Sequence, residues 1–391
     1  MIEQTDLIYL DYAASTPVDA WVAEAMTVLM TTDGNYANPS STHSAGRRSV
    51  QHIAHASSQL AGLLNTDPDR LIWTSGATES DNLAILGAAN YRQDKGRHLI
   101  TMRTEHKAVV DTFTALEKNG FDVSWLDPDA NGLLEIAKLE AEIRDDTQLV
   151  SVMHINNETG VIQDIANIGT ACRERGVLFH VDAAQSVGKL PIDLAALPID
   201  LMSMTAHKVY GPKGIGALYM ADRPGVHVEP LLFGGGQQRK LRPGTLPAQQ
   251  IVGFGAAAAI AQSRMSDDIE HLNRLRDRLW SGIHDIPGVM TNGAIEYAFP
   301  GILNVSIEDI EGESLLLALE PLCVATGSAC NSKSQEPSYV LRALGCSDDL
   351  AQSAIRFSFG RPTNSEEIDL AVKLYRGAID KLRGIAPGRA A

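Results

Sequence analysis

Cysteine is scarce in this chain, and its cysteines do not form closely spaced pairs. There are four among 391 residues, and none belongs to a C-x-x-C pattern. They are Cys172, Cys323, Cys330 and Cys346. This spacing gives no sign of a zinc ribbon or of a disulfide framework. A cysteine with a special role must therefore be recognised from its own neighbours.

Net positive charge and long apolar runs are also lacking. The formal net charge is −15, which argues against broad binding to nucleic acid or an anionic membrane, because both need clustered Lys and Arg. No uninterrupted apolar run of about 18 residues occurs. The first residues, MIEQTDLIYLDYA, are acidic where a secretory signal would be basic. We expect a cytoplasmic protein without membrane or direct nucleic-acid contacts.

The composition is that of an ordinary globular protein, with 44% hydrophobic and 21% charged residues. Its length predicts two domains, because domains mostly contain ~100 to 200 residues. From Leu71 onward, short apolar runs alternate with stretches of helical periodicity. The predicted strands are LIWT, HLIT, VSWL, LVSVMH, VLFHVDA, LMSMTAH and GIGALYM, and the predicted helices cover 80–92, 107–119 and 165–175.

Strands that alternate with helices indicate parallel crossovers and a three-layer α/β sheet, with ligands at the carboxyl ends of the strands. We assign this large domain to 15–262. A smaller α+β domain would comprise 1–14 plus 263–391. It would contain a long exposed helix in DDIEHLNRLRDRLWSGI, strands in ILNVSI and AIRFSF, and a closing helix near 365–382.

The segment Ser75-Gly76-Ala77-Thr78-Glu79-Ser80 follows a predicted strand and opens a helix. Backbone N–H groups, the positive helix end and a hydroxyl group come together there, which favours a phosphate site. An ordinary helix cap formed by Ser75 or Thr78 explains the same residues equally well.

Two further strands end in charged residues. Asp182 ends the run FHVD, where a buried carboxylate needs a cationic partner such as a protonated pyridine nitrogen; a structural ion pair or a helix N-cap is the alternative. Lys208 follows LMSMTAH and precedes a glycine-rich turn, so its amine could form a Schiff base, although most lysines are solvated surface groups.

Cys330 differs from the other cysteines in its neighbours. It lies in GSACNSKSQ, whose small and polar residues do not form a core, so we expect an exposed loop where a thiolate can react. Cys323 in EPLCVAT is expected to be a small buried hydrophobic residue.

These segments together resemble the NifS/IscS-type cysteine desulfurases of the class-V aminotransferase family. That family has the aspartate-aminotransferase-like fold, type I, of pyridoxal-phosphate enzymes. The resemblance also covers YLDYAA from Tyr9, NPSSTH from Asn38, TEH from Thr104, HINNE from His154 and RFS from Arg356. The order and spacing of these motifs carry it rather than any single motif.

The resemblance implies a role for each site residue in binding pyridoxal 5'-phosphate. Lys208 would form the Schiff base, His106 would stack on the ring, Asp182 would pair with the ring nitrogen, and Gln185 and Asn157 would contact the ring's phenolic side. Ala77, Thr78, Thr205 and His207 would hold the phosphate, and Thr245 would reach it from the partner subunit of a homodimer.

The resemblance also implies how substrate binds. Arg356 would bind the substrate carboxylate through a bidentate contact, with Asn38 nearby. Without the resemblance, the alternatives are an interior histidine for His106 and a surface ion pair for Arg356. We expect no resident metal, although Cys330 could ligate an iron–sulfur cluster transiently. His52 and His55 are expected to lie on a solvated helix face.

The implied reaction converts L-cysteine to L-alanine and leaves the sulfur as a persulfide on Cys330, for delivery to sulfur-acceptor proteins. The acceptor could belong to iron–sulfur cluster assembly, tRNA thiolation or DNA phosphorothioation. The resemblance implies that housekeeping relatives continue beyond the position of GIAPGRAA into a tail that docks an iron–sulfur scaffold, so delivery to that scaffold is the less expected route. A transaminase, a selenocysteine lyase and a cofactor-loaded scaffold without turnover are the alternatives.

Overall fold

The computed structural model describes residues 7–326 and 336–385, so Cys330 lies outside the described residues. The helices are α1 (Ala20–Thr27), α2 (Ser44–Leu64), α3 (Ala77–Tyr91), α4 (Lys107–Lys118), α5 (Ile136–Glu142), α6 (Ile165–Glu174), α7 (Ala248–Ile283), α8 (Gly312–Ala318), α9 (Tyr339–Ala343), α10 (Asp348–Gln352) and α11 (Ser365–Ile385). The strands are β1 (Ile8–Tyr9), β2 (Leu71–Thr74), β3 (His98–Met102), β4 (Asp122–Leu126), β5 (Thr147–Met153), β6 (Leu178–Asp182), β7 (Leu201–Thr205), β8 (Gly216–Met220), β9 (Val289–Thr291), β10 (Ile302–Ile307), β11 (Leu322–Cys323), β12 (Ala325–Thr326) and β13 (Ile355–Ser358).

The largest sheet is mostly parallel and has the strand order β2-β8-β7-β6-β5-β3-β4. The predicted parallel crossovers are found between its other strands, but the prediction is wrong for β8, which runs antiparallel to both β2 and β7. The reason is chain length. Only residues 206–215 connect β7 to β8, and a parallel connection needs about a dozen residues or more.

Helices cover both faces of this sheet, which explains why its strands are continuous apolar runs. On β5, Leu149 packs with Val109 and Phe113 of α4. The next residue, Val150, points to the opposite face and packs into the cluster that contains Ile168 of α6. This is the expected three-layer arrangement, and it leaves the strand ends as the place where polar side chains gather.

A second core forms around the antiparallel sheet β12-β13-β10-β9. The predicted strands ILNVSI and AIRFSF correspond to β10 and β13, and the predicted closing helix corresponds to α11. The long helix α7 joins the two cores, because Phe254 packs in the first and Leu279 in the second. The predicted domain boundary at 262–263 lies within α7 and stays a prediction.

Two cysteines can be compared with expectation. Cys172 of α6 is fully buried, and burial raises the pKa of its thiol to about 12. The expectation that Cys323 is buried is wrong: it is half-buried at the end of β11. The physical reason is that, among the described residues, β11 pairs with β1 alone in a two-stranded sheet.

The described helices were also compared with the dimensions of a bilayer. Within residues 7–326 and 336–385, no helix is both long and apolar enough to cross a membrane.

Candidate active site

A cavity of about 510 Å³ opens at the carboxyl ends of β2, β5, β6 and β7. Gly214, just before β8, also lines it because β8 runs in the opposite direction. Ten of the predicted site residues line this cavity: Ala77, Thr78, His106, Asn157, Asp182, Gln185, Thr205, His207, Lys208 and Arg356. The fold thus brings together segments that are far apart in the sequence.

The N-terminus of α3 faces this cavity without a side-chain cap. Its N-cap residue is Gly76, with φ 158° and ψ 179°, a conformation that is essentially restricted to glycine. Glu79 Oε2 accepts a hydrogen bond of 2.7 Å from the backbone N–H of Ser75. The alternative that Ser75 or Thr78 caps the helix is therefore wrong. The first-turn N–H groups and the helix dipole can instead bind a phosphate.

Asp182 is the acidic residue at the end of a buried strand. It is 3% exposed, and its Oδ1 accepts a hydrogen bond of 2.9 Å from the backbone N–H of Ala184. Two residues earlier on β6, the ring of His180 contacts Ser151 Oγ at 2.8 Å and Ser203 Oγ at 2.9 Å. Burial lowers the pKa of His180 to about 3, so this ring is neutral. A cationic ligand group would satisfy the carboxylate at the cavity wall.

Lys208 ends a short 3₁₀ turn, Ala206–Lys208, directly after β7. It is half-buried and lines the cavity, which does not fit a solvated surface lysine. The adjacent His207 contacts Ser15 Oγ at 3.3 Å. Burial, together with Lys208 and Lys213, lowers the pKa of His207 to about 4. The imidazole of His207, which lines the same cavity as Lys208, is therefore neutral.

His106 is both the N-cap of α4 and part of the cavity wall. Its Nδ1 accepts a hydrogen bond of 3.1 Å from the backbone N–H of Ala108. Burial lowers the pKa of His106, although Asp182 acts against this shift. Since Nδ1 accepts, we assign the proton of the neutral ring to Nε2.

Two amides complete the polar lining. Within the described part of the chain, the buried Oδ1 of Asn157 has no hydrogen-bond partner. Gln185 is 2% exposed; its Nε2 donates to the carbonyl of Ala13, and its Oε1 accepts from Lys189 Nζ, both at 2.8 Å. Buried polar atoms normally have partners, so the Asn157 oxygen indicates a ligand-binding position.

Arg356 of β13 brings a guanidinium group from the second core into the cavity. It is 3% exposed, and it donates to the carbonyl of Asn157 and to Asp11 Oδ1, both at 2.7 Å. The alternative of a surface ion pair is wrong, because this pair is largely buried. A guanidinium group has five N–H donors, so these two contacts leave donors for a substrate carboxylate.

Two other predicted residues, Asn38 and Thr245, do not line the cavity. Asn38 is exposed, and its Oδ1 accepts from the backbone N–H of Ser40 at 2.9 Å. Thr245 is also exposed in this chain. Cys330 lies outside the described residues.

Sequence reasoning missed several groups at the site. Asp11 belongs to the YLDYAA motif, which assigns it no role, yet it pairs with Arg356. Glu79 forms an ion pair of 2.8 Å with Arg242, which anchors the segment that leads to Thr245. Lys189 follows Gln185 by four residues and contacts it; this spacing was the available sign that the two side chains meet. The partner of each group is distant in sequence or hidden in a loop, so periodicity did not reveal it.

Comparison with known proteins resolves the family. The family model described as aminotransferase class-V matches residues 8–371. The chain belongs to the class-V aminotransferase family. This class-V aminotransferase is 56% identical to the cysteine desulfurase IscS of Enterobacter sp. (strain 638), over 97% of this chain and 94% of the relative.

Two solved structures are similar to this class-V aminotransferase. A NifS-like protein has a TM-score of 0.90 and 35% identity, over 96% of this chain and 100% of the other. A structure described as SspA in complex with cysteine has a TM-score of 0.80 and 38% identity, over 90% and 98% of the two chains. The predicted family and type I fold are confirmed, and the chain is a member of the pyridoxal-phosphate-dependent cysteine desulfurases.

The residues of the cavity fit pyridoxal phosphate. The uncapped helix end offers N–H groups to the phosphate, and Asp182 offers a carboxylate to the ring nitrogen. Lys208 offers an amine, and the Asn157 oxygen is a buried acceptor without a partner among the described residues. Each of these groups matches one chemical feature of this cofactor, and together they surround one cavity.

Proposed function

We propose that this class-V aminotransferase takes sulfur from L-cysteine, releases L-alanine and holds the sulfur as a persulfide on Cys330. The observation that carries the proposal is the single cavity that joins Lys208, Asp182, His106 and the uncapped end of α3. The 56% identity to a cysteine desulfurase supports cysteine as the substrate.

The proposed cofactor contacts follow the chemistry of each side chain. Ala77, Thr78, Thr205 and His207 would hold the phosphate, Asp182 the ring nitrogen, and Asn157 and Gln185 the phenolic side, while His106 would lie against the ring. Lys208 would bind the carbonyl carbon through Nζ. When bound, the cofactor supplies an electron-withdrawing ring that stabilises negative charge on the substrate α-carbon.

Proton transfer is assigned to Lys208. Its Nζ would take the α-proton of cysteine, because an amine at the cavity wall acts as a base once it is neutral. Arg356 would orient the substrate through its carboxylate, using donors not engaged by Asp11 and the Asn157 carbonyl. Asn38 stays a predicted substrate contact.

Cys330 would carry the sulfur away. Its thiolate would attack the substrate sulfur, so that an S–S bond forms while the Cβ–S bond breaks. The bonding electrons stay on Cβ, which takes a proton and becomes the methyl group of alanine. Strand β12 precedes Cys330 in the chain, and its residue Ala325 pairs with Arg356 of β13. Four residues from Thr326 to Cys330 reach at most about 14 Å, so β12 delivers the chain close to the cavity.

The assembly and location are part of the same proposal. A homodimer would let Thr245 of one subunit reach the phosphate of the other, since Thr245 is exposed and its segment is anchored by the Arg242–Glu79 pair. Sulfur-acceptor proteins would then take the persulfide sulfur. We place this exchange in the cytoplasm, where thiols are kept reduced.

The test is to locate the sulfur. The purified enzyme is incubated with ³⁵S-cysteine, alanine is quantified, and the labelled residue is found by mass spectrometry. We expect label on Cys330 and alanine formed without any keto acid. Cys330→Ala should abolish the label, whereas the matched control Cys346→Ala should keep it. Label on Cys172, Cys323 or Cys346 in the wild type, or a requirement for a keto acid, would contradict the proposal.

A further inference from the structure

Lys189 is a basic side chain directly behind the cavity wall, and the reaction above gives it no role. It follows Gln185 by four residues, in the turn after β6, and its Nζ donates to Gln185 Oε1 at 2.8 Å. Gln185 itself lines the cavity. Lys189 therefore acts on the cavity through Gln185.

The contacts of Gln185 determine which way its amide points. Nε2 donates to the carbonyl of Ala13 at 2.8 Å, while Oε1 faces Lys189. A carbonyl only accepts and an ammonium group only donates, so both partners require the same amide orientation. In that orientation the second N–H of Nε2 is available to a ligand in the cavity. The ammonium charge also polarises the amide, which strengthens Nε2–H as a donor.

The surroundings of Lys189 come from several elements. Its Nζ lies 5.6 Å from the centre of the Phe299 ring, an attractive arrangement for a cation. Burial, together with the positive charges of Lys208 and Arg356, lowers the pKa of Lys189 to about 7. The other titratable or charged groups that line the small cavity beside it are Tyr12, Tyr210, Asp268, His271 and Arg361. Of these, Asp268 already accepts from Arg361 Nε at 2.6 Å.

We propose that Lys189 is a positioning residue that holds Gln185 with an N–H directed at the phenolic oxygen of the bound cofactor. This inference rests on the proposed function, which places Gln185 beside that oxygen. A protonated Lys189 only donates and thus holds the amide in one orientation. A neutral amine can also accept, so the constraint weakens when Lys189 loses its proton.

The first test follows the Lys189 amine itself. Full-length protein labelled with ¹³C at lysine Cε is titrated by NMR, with and without pyridoxal phosphate. In the cofactor-free protein we expect one lysine with a midpoint at about pH 7. That signal should be missing in Lys189→Met and present in Lys373→Met, a matched change of an exposed lysine on α11. Assignment of Lys189 to a signal with the ordinary midpoint of about 10 would overturn the proposed weakening of the constraint near pH 7, while the holding of Gln185 is decided by the second test.

The second test measures what Lys189 does to the bound cofactor. The absorption of the holoenzyme is titrated with pH. Loss of a well-directed donor to the phenolic oxygen should raise the midpoint in Lys189→Met by about one unit. We also expect kcat to fall about tenfold while KM for cysteine changes less than about twofold. Lys373→Met should match the wild type in both measurements, and an unchanged midpoint in Lys189→Met would refute the positioning role.

Two arrangements keep these tests decisive. If Lys189→Met does not fold, Lys189→Gln is used, because its neutral amide both donates and accepts and should give a midpoint shift of the same sign. Failure of the proposed function is recognised separately. A shifted midpoint without persulfide in the wild type would refute the sulfur transfer and leave the positioning role standing. Persulfide in the wild type with an unshifted midpoint in Lys189→Met would refute the positioning role and leave the sulfur transfer standing.

Discussion

Glu79 and Asp81 lie two residues apart on α3, yet they occupy opposite electrostatic environments. Glu79 is at the cavity; burial alone would raise its pKa, but hydrogen bonds from Arg242 and Ser75 lower the pKa below its usual value. Asp81 faces the sheet and is fully buried, and burial and the charge of Asp182 raise its pKa well above the usual range. One helix therefore holds an acid with a lowered pKa at the cavity and an acid with a raised pKa behind it.

Two other acids behind the cavity wall resemble Asp81. Burial raises the pKa of Glu105 well above its ordinary value, and it raises the pKa of Glu158 to about 7 despite a hydrogen bond from Ser338. His180, 3.6 Å from Asp81, is neutral, so that contact is not an ion pair. Asp182 thus lies in front of three acids whose pKa values are raised by burial. Burial raises the pKa of an acid, whereas direct hydrogen bonds such as those from Arg242 and Ser75 to Glu79 lower it.

The largest expected effect comes from replacing Asp182, the cavity carboxylate proposed to face the ring nitrogen. Asp182→Asn keeps the shape of the side chain but removes the charge proposed to face the ring nitrogen. We expect kcat/KM for alanine formation to fall about 10²- to 10³-fold. Wild-type activity in this variant would contradict a role for the Asp182 carboxylate in the reaction. It would also remove the contrast between the acid at the cavity and the buried acids behind it.

A smaller effect is expected from Glu79→Gln. The change removes the negative partner of Arg242, and both side chains are mostly buried. A charge-assisted hydrogen bond of this kind contributes about 1–3 kcal/mol. The melting temperature of the cofactor-free protein should therefore fall by several degrees. Glu174→Gln, on an exposed part of α6, serves as the control and should leave it unchanged; equal melting temperatures for both variants would show that the pair contributes nothing.

Glu158 makes stability depend on pH. Its pKa is raised in the folded state to about 7, so between the unfolded value and pH 7 the native protein binds more protons than the unfolded chain. Stability therefore falls as pH rises through this window. Between pH 6 and 8 this group should lower the free energy of unfolding by about 1 kcal/mol. Urea unfolding at both values should show this contribution in the wild type and in Glu174→Gln. If the same fall in the free energy of unfolding between pH 6 and 8 persists in Glu158→Gln, Glu158 is excluded as its source.

The smallest effect is expected from Asp81→Asn, the counterpart of Asp182→Asn. If Asp81 is already protonated, a neutral amide of the same shape changes no charge, and kcat/KM should change less than about threefold. The two variants are measured side by side. A loss of kcat/KM as large as that of Asp182→Asn would show that Asp81 carries charge. The distinction between the acid at the cavity and the buried acid behind it would then fail.

The local pattern of the chain predicted most of the elements that build the site. Runs such as LIWT and ILNVSI coincide with β2 and β10, because a strand buried on both faces must be apolar throughout. Polar residues that directly follow such runs, including Ser75 and Lys208, were therefore recognisable as candidates. The antiparallel direction of β8 was missed, because strand direction depends on the length of the connecting turn as well as on apolar character.

Residue order alone shows which residue types stand at the ends of the strands, and the motifs were sufficient to indicate the family. Which of those groups meet, and how their pKa values shift, follows from the folded chain. Arg356 reaches Asp11 across 345 residues of chain, and Lys189 acquires its lowered pKa from Lys208 and Arg356 as well as from burial. The physical reason is that a pKa depends on dielectric environment and on distances through space. Neither quantity is written in the local order of residues.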